Sequence, residues 1–343
     1  MPRLLSEYDQ SVVDLADAAY GEVLKFHYNQ EFTKPKPRPQ SGLLHHYTTA
    51  EGLQGIIENN ELWATSAYFL NDSAEIVYGC RVLKEALDEW MANNPRPEDS
   101  LILGMARGLH TTFGDQFLNM HVVEPIYLAC FCEDDNLLSQ WRTYGQSGGY
   151  SLGFQVPAAD LHTGQGFKPE PCTYTSKWVK VEYDKKEQIK KCREILDAIL
   201  SPFDKPETAR ALAAIGDHPL VGYPIICRAI IDLLMEEVVG FKNEAFAVEK
   251  EWRVVVRRRE LTKQGTDDGG KTHPPVYFRA STRGALIPYV KLIPSVPTEK
   301  LPVYCVRTGP TLDANVSTLA LPLFLHARGF PVRIRKSEIS LRL

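Results

Sequence analysis

The sequence predicts an α+β fold with a mostly antiparallel sheet, and three observations lead there. Strand and helix signals do not alternate in the regular manner of a parallel doubly wound sheet. The late strand candidates, Glu249 to Val256, 276–279, 287–293 and 301–306, alternate or run apolar, and the first two are separated by a polar, glycine-rich loop rather than a helix. The middle of the chain, about 184–240, carries helical periodicity and reads as a helical insertion.

Each element has its local reason. Val12, Val13, Leu15, Ala16, Ala19, Val23, Leu24 and Phe26 recur at roughly helical spacing, and the run KPKPRPQ after them favours extended chain. Residues 1–40 therefore read as a helix and a proline-rich tether, and 41–343 as a single domain. A strand over 43–47 precedes Thr48-Thr49-Ala50-Glu51, which fits a capping box, with Leu53, Ile56 and Ile57 as the following apolar stripe. Residues 62–65 form the next strand, and Asp72 and Glu75 frame a helix that buries Ile76, Val77, Cys80, Leu83, Leu87 and Trp90. A helix over 101–118 and strands over 125–132, 150–156 and 178–183 follow. Helices at 185–200, 209–214 and 223–239 make the insertion, and a helix at 312–327 with a strand at 332–335 closes the chain.

Composition narrows the function classes. Of 343 residues 44% are hydrophobic and 24% charged, as in an ordinary soluble globular protein, and the net charge is −4. Such a charge gives no general attraction to nucleic acid or to membranes, so contact with nucleic acid requires a local basic patch. Arg257-Arg258-Arg259 is the one tight cluster; it can contact phosphate, but such a cluster is more often the solvated end of a strand. No stretch approaches the roughly 20 apolar residues of a membrane span, and MPRLLSEYDQ lacks an apolar signal core. The seven cysteines are scattered among apolar neighbours, as expected of reduced thiols in a cytoplasmic protein. Cys130 and Cys132 have no second pair at ligand spacing, so no metal is expected.

Three stretches can carry chemistry. In LLHHYTT, His46 and Thr48 point to one face of a strand and His45 and Tyr47 to the other; one pair can face a cleft, or Thr48 can simply cap the next helix. In VEKEWRVVV, Glu249 and Glu251 share a strand face that Arg253 continues, either lining a cleft or forming a Glu–Arg ladder. In SQWRTYGQSGGY, Trp141 and Tyr144, with Ser139 and Gln140 beside them, can stack on and hydrogen-bond a planar ring, or pack before a hairpin. GQSGGY lacks the G-x-G-x-x-G spacing of a dinucleotide fold.

Taken in order, LHHYTT, ELWAT with FLND, SQWRTYGQSGGYSLGF, EKEWRVV, LIPYVKLIP and a final segment from Gly309-Pro310 to Ser337 resemble the bacterial DUF2971 family. More distantly, the order of His-x-Thr on a first strand, an aromatic after the next strand and a Glu on a late strand is similar to ADP-ribosyltransferases of the His-Tyr-Glu type. That likeness implies a two-sheet core clamping NAD as co-substrate. It implies His46 on the adenosine ribose, Thr48 near the nicotinamide ribose or amide, and Tyr68 or Phe69 as the ring stacked on nicotinamide. Tyr47 stands where that superfamily has glycine. Glu251 matches the catalytic glutamate, with Glu249 assisting the acceptor and Arg253 orienting Glu251 or meeting phosphate. The implied activity is ADP-ribosyl transfer to a protein or nucleic-acid acceptor, as in toxins or anti-phage effectors. Two alternatives stand beside it: a nucleotide-binding sensor without turnover, and a nucleotide or nucleic-acid hydrolase using Glu249 and Glu251.

Overall fold

The computed structural model describes residues 42–70, 74–98, 100–113, 126–145, 148–155, 168–170, 174–200, 230–231, 234–258, 276–281, 284–294, 298–310 and 314–339. The expected N-terminal helix and tether, the Asp72 turn, the 209–214 helix, Arg259 and the loop after it lie outside the described residues. Among the described residues there are eleven strands: β1 (Leu43–Thr48), β2 (Leu62–Ser66), β3 (Tyr127–Cys132), β4 (Tyr150–Gln155), β5 (Lys168–Glu170), β6 (Tyr174–Lys180), β7 (Glu251–Arg258), β8 (Tyr277–Ala280), β9 (Leu286–Ile293), β10 (Val303–Thr308) and β11 (Arg333–Lys336). The described helices of ten residues or more are α1 (Ala50–Asn59), α2 (Ala74–Asn93), α3 (Leu101–Thr112), α4 (Lys185–Leu200) and α5 (Ala314–Ala327).

The chain divides into two compact units. One takes its described residues from 74–113 and 182–244, so α2 and α3 join the expected insertion. Within it the buried Gln188 amide donates to the carbonyls of Glu182 and Lys242 at 2.6 and 2.9 Å and accepts from the Tyr78 hydroxyl at 2.9 Å. A nearly buried ion pair, Lys242 to Glu75 at 2.9 Å, adds to that network.

The other unit holds all eleven described strands, hydrogen-bonded into one sheet rather than the two expected. Its main path runs β11-β10-β4-β1-β3-β2-β9-β5, with β7 on β3, β6 on β7 and β8 on β9. Among the described strands only β10 and β11 pair in parallel; the other described ladders are antiparallel, as the sequence predicts. Because β7 pairs with β3 from Tyr127 to Cys132, β1 and β2 must share the other edge of β3. There β1 meets β3 through the single pair His45–Cys132, and β2 through Thr65–Leu128 and Ser66–Tyr127. Between these points the sheet forks.

Period-two alternation places Leu44, Phe131, Leu152, Phe154, Trp252, Val254 and Val256 in one core with Leu53, Ile56 and Ile57 of α1 and Leu321 and Leu325 of α5. The α1 cap is Thr49, whose Oγ1 accepts the Gly52 N–H at 3.2 Å, not Thr48. Thr48 instead lies against Gly52 so closely that a Cβ there would stand 1.9 Å from its Oγ1. Two strand boundaries also differ from expectation. The strand expected at 178–183 runs from Tyr174 to Lys180. The one expected from Glu249 starts at Glu251, because Glu244–Glu249 closes into a 3-10 helix and Lys250 turns left-handed at φ 44°. The short β5 has no sequence signal of its own, being stabilised by its ladder with β9.

Candidate functional site

The fork opens onto a cavity of about 50 Å³. From β1 it is lined by His45, His46 and Tyr47, and from β3 by Cys130, Phe131 and Cys132. Gln140 and Tyr144 approach from the helical turns Leu138–Gln140 and Trp141–Gly145, and Glu249 and Glu251 from either side of the Lys250 turn. Both faces of β1 contribute because the strand leaves β3 after a single pair, so side chains of either parity reach the gap. Where one water needs roughly 10–15 Å³, this space is several waters in size. Pockets for whole cofactors run to several hundred Å³, so an end group fits inside and a dinucleotide does not.

His46 fills the fork itself. The Cys130 carbonyl can only accept, so the Nδ1–H of His46 donates to it at 2.9 Å and Nε2 is left as an acceptor. The ring tilts against Phe131 at 5.6 Å. Burial lowers its pKa, with the hydrogen bond to Cys130 opposing, so neutral imidazole is favoured. His45 is buried as well, and its pKa is pushed down to about 4, chiefly by burial; Asp135 and Asp134 oppose the shift, and Arg335 and Arg307 add to it. Its Nδ1 has no hydrogen-bond partner among the described residues. The ring lies over Gly153 of β4, where a Cβ would stand 2.9 Å from His45 Cε1 and 2.6 Å from Cys305 Sγ.

Glu251 is 5% exposed and Arg253 1%. They share a face of β7, and the guanidinium grips the carboxylate with both arms, Nε to Oε1 at 2.8 Å and Nη2 to Oε2 at 3.0 Å. The Glu251 carboxylate is thus held in place from β7 itself. Glu249 does not share that strand face, since it ends the 3-10 helix; it reaches the cavity because Lys250 reverses the chain. The Cys132 thiol donates to the Asp134 carbonyl at 3.1 Å, and burial raises its pKa well above the ordinary thiol range, which makes it a poor nucleophile. Among the described residues no group of three or more His, Cys, Asp or Glu side chains is placed to hold a metal ion.

A loop covers β1 and carries Gln140 and Tyr144 to the cavity. The buried Tyr47 hydroxyl donates to the Asp134 carbonyl at 3.0 Å and accepts the Leu137 N–H at 2.8 Å. Trp141 stands edge-on to Tyr47 at 4.7 Å and donates its indole N–H to Asn136 Oδ1 at 3.1 Å. Ser337 Oγ reaches the same oxygen at 2.7 Å, and Asp135 meets Arg307 at 2.9 Å and Arg335 at 3.5 Å. So of the residues singled out from sequence, His46, Tyr47, Tyr144, Glu249 and Glu251 come together, with Arg253 behind Glu251. Thr48, Tyr68, Phe69 and Trp141 do not line the cavity. Trp141 is packing, Phe69 is 44% exposed, and Tyr68 sits beside it on the turn Ala67–Phe69. Cys130, Phe131 and Cys132 carry no signal in the sequence that marks them as lining residues, whereas His45 and Gln140 lie in stretches that can carry chemistry without a role of their own.

Residues 140–254 match the model of a family described as a protein of unknown function, DUF2971, which supports the family resemblance read from the sequence. The match takes in Gln140, Tyr144, Glu249, Glu251 and Arg253, and leaves β1 outside. No curated protein and no solved structure matches the chain. The ADP-ribosyltransferase likeness therefore rests on the order of motifs alone.

Proposed function

We propose that the cavity receives the nicotinamide end of NAD and that the protein transfers ADP-ribose from it, with Glu251 as the carboxylate beside the reacting sugar. One observation carries this proposal: His46 and Glu251, far apart in sequence and the two ends of the motif order, line the same small cavity with Glu249. Neutral His46 Nε2 and two carboxylates make the lining rich in acceptors, which suits the hydroxyls of a ribose. A space of about 50 Å³ shared by His46 and Glu251 does not extend to two riboses, so His46 is assigned to the nicotinamide side rather than the adenosine ribose.

In the step itself the C1′–N bond breaks and its electron pair leaves on the nicotinamide nitrogen, which becomes neutral. C1′ takes on oxocarbenium character, and a lone pair of a water or an acceptor hydroxyl closes the new bond while its proton passes to Glu249. Glu251 accepts a ribose hydroxyl and stabilises the positive charge developing on the sugar. Arg253 positions that carboxylate. A protein or nucleic-acid acceptor fits such a reaction, and so does the setting of a toxin or an anti-phage effector.

The two-armed grip of Arg253 on Glu251 favours a second reading, a module that binds the nucleotide without turning it over. Nicotinamide release from NAD by the purified protein separates the two. The transferase reading expects release that Glu251→Gln abolishes while NAD still binds by calorimetry. Binding with no release in the wild type selects the sensor, and absence of both removes NAD from the account.

A further inference from the structure

Gln140 lies at the end of a three-residue helical turn, is 9% exposed and lines the cavity. Its carboxamide makes no hydrogen bond among the described residues. Its amide atoms keep contact with solvent and remain available to a ligand that enters the cavity. The turn itself is held by the neighbouring Trp141 through its contacts to Tyr47 and Asn136.

We infer that Gln140 is the specificity residue of the cavity and selects a neutral carboxamide over a carboxylate on the end group bound there. The inference rests on the nicotinamide assignment above. A glutamine amide offers one acceptor and a donor side by side, and a ligand carboxamide returns the complementary pair. A ligand carboxylate can take the N–H, but it sets lone pairs against Gln140 Oε1 and brings negative charge into a space that already holds the Glu249 and Glu251 carboxylates. The polar group left mispaired is the feature that discriminates strongly, where shape alone discriminates weakly.

The test compares NAD with its deamido form, in which the carboxamide is a carboxylate, for the wild type and Gln140→Leu. The wild type is expected to favour NAD by about a hundredfold in kcat/KM. In Gln140→Leu that preference should fall below about tenfold, mainly through a higher KM for NAD. The thermal midpoint of Gln140→Leu should not fall, because no hydrogen bond within the fold is lost. An undiminished preference in Gln140→Leu overturns the inference while leaving the transferase reading intact, and a large drop in the midpoint overturns it by showing a structural role. If the wild type neither turns over NAD nor binds free nicotinamide by calorimetry, the transferase reading falls and takes this inference with it.

Discussion

Removing Arg253 should expose how much of the fold depends on holding a carboxylate inside it. Glu251 and Arg253 are 5% and 1% exposed, and their two contacts of 2.8 and 3.0 Å supply each carboxylate oxygen with a donor. Arg253→Met keeps the bulk of the stem but leaves a buried charge without its cation, which costs about 3–5 kcal/mol. Since a buried pair and a well-packed apolar replacement are often close in energy, Glu251→Gln with Arg253→Met should recover a good part of that loss. Urea unfolding followed by tryptophan fluorescence reads the effect, because the buried Trp252 sits between the two residues in β7. With a slope of about 2–3 kcal/mol/M, the midpoint of the single variant should fall by roughly 1–2 M. A shift of less than about 0.3 M, or a double variant less stable than Arg253→Met, would refute the picture of a desolvated clamp.

Three further outcomes follow from the same geometry. His45 binds its proton less readily folded than unfolded, its pKa lying near 4 against an ordinary 6.5, so stability is full above about pH 6.5 and is lost as the pH falls toward 4. The loss is roughly 3 kcal/mol, and His45→Gln should flatten that part of the urea stability profile between pH 7 and 4. Gly153→Ala puts a Cβ 2.6 Å from Cys305 Sγ and should cost about 1–3 kcal/mol by thermal unfolding, with partial rescue when Cys305→Ala removes the sulfur. Tyr47→Phe removes the acceptor of the Leu137 N–H and should cost about 1–3 kcal/mol, with faster amide exchange at Leu137.

Much of this architecture could be read from residue spacing. The apolar stripe of α1, the long amphipathic α2 and α4, and the valine-rich β7 declare their type because periodicity records which face is buried. The α1 cap was legible only to within one residue, since Thr48 and Thr49 are both competent and the path of β1 decides between them. Glu249 could not be placed from sequence, because the turn at Lys250 requires a left-handed residue where no glycine marks it. The fork in the sheet was invisible for a different reason. It depends on β1 and β2 sharing one edge of β3, a non-local pairing that no local pattern encodes. That pairing also explains why His45 and His46, on opposite faces of one strand, reach the same cavity.

The central claim is that the cavity at the fork is a reaction site centred on Glu251. Its most direct test is nicotinamide release from NAD by the wild type beside Glu251→Gln, with NAD binding measured on both. Release by the wild type alone, with binding retained in the variant, is the predicted result. Equal release from the two proteins would contradict the account, and so would a wild type that neither binds nor cleaves NAD.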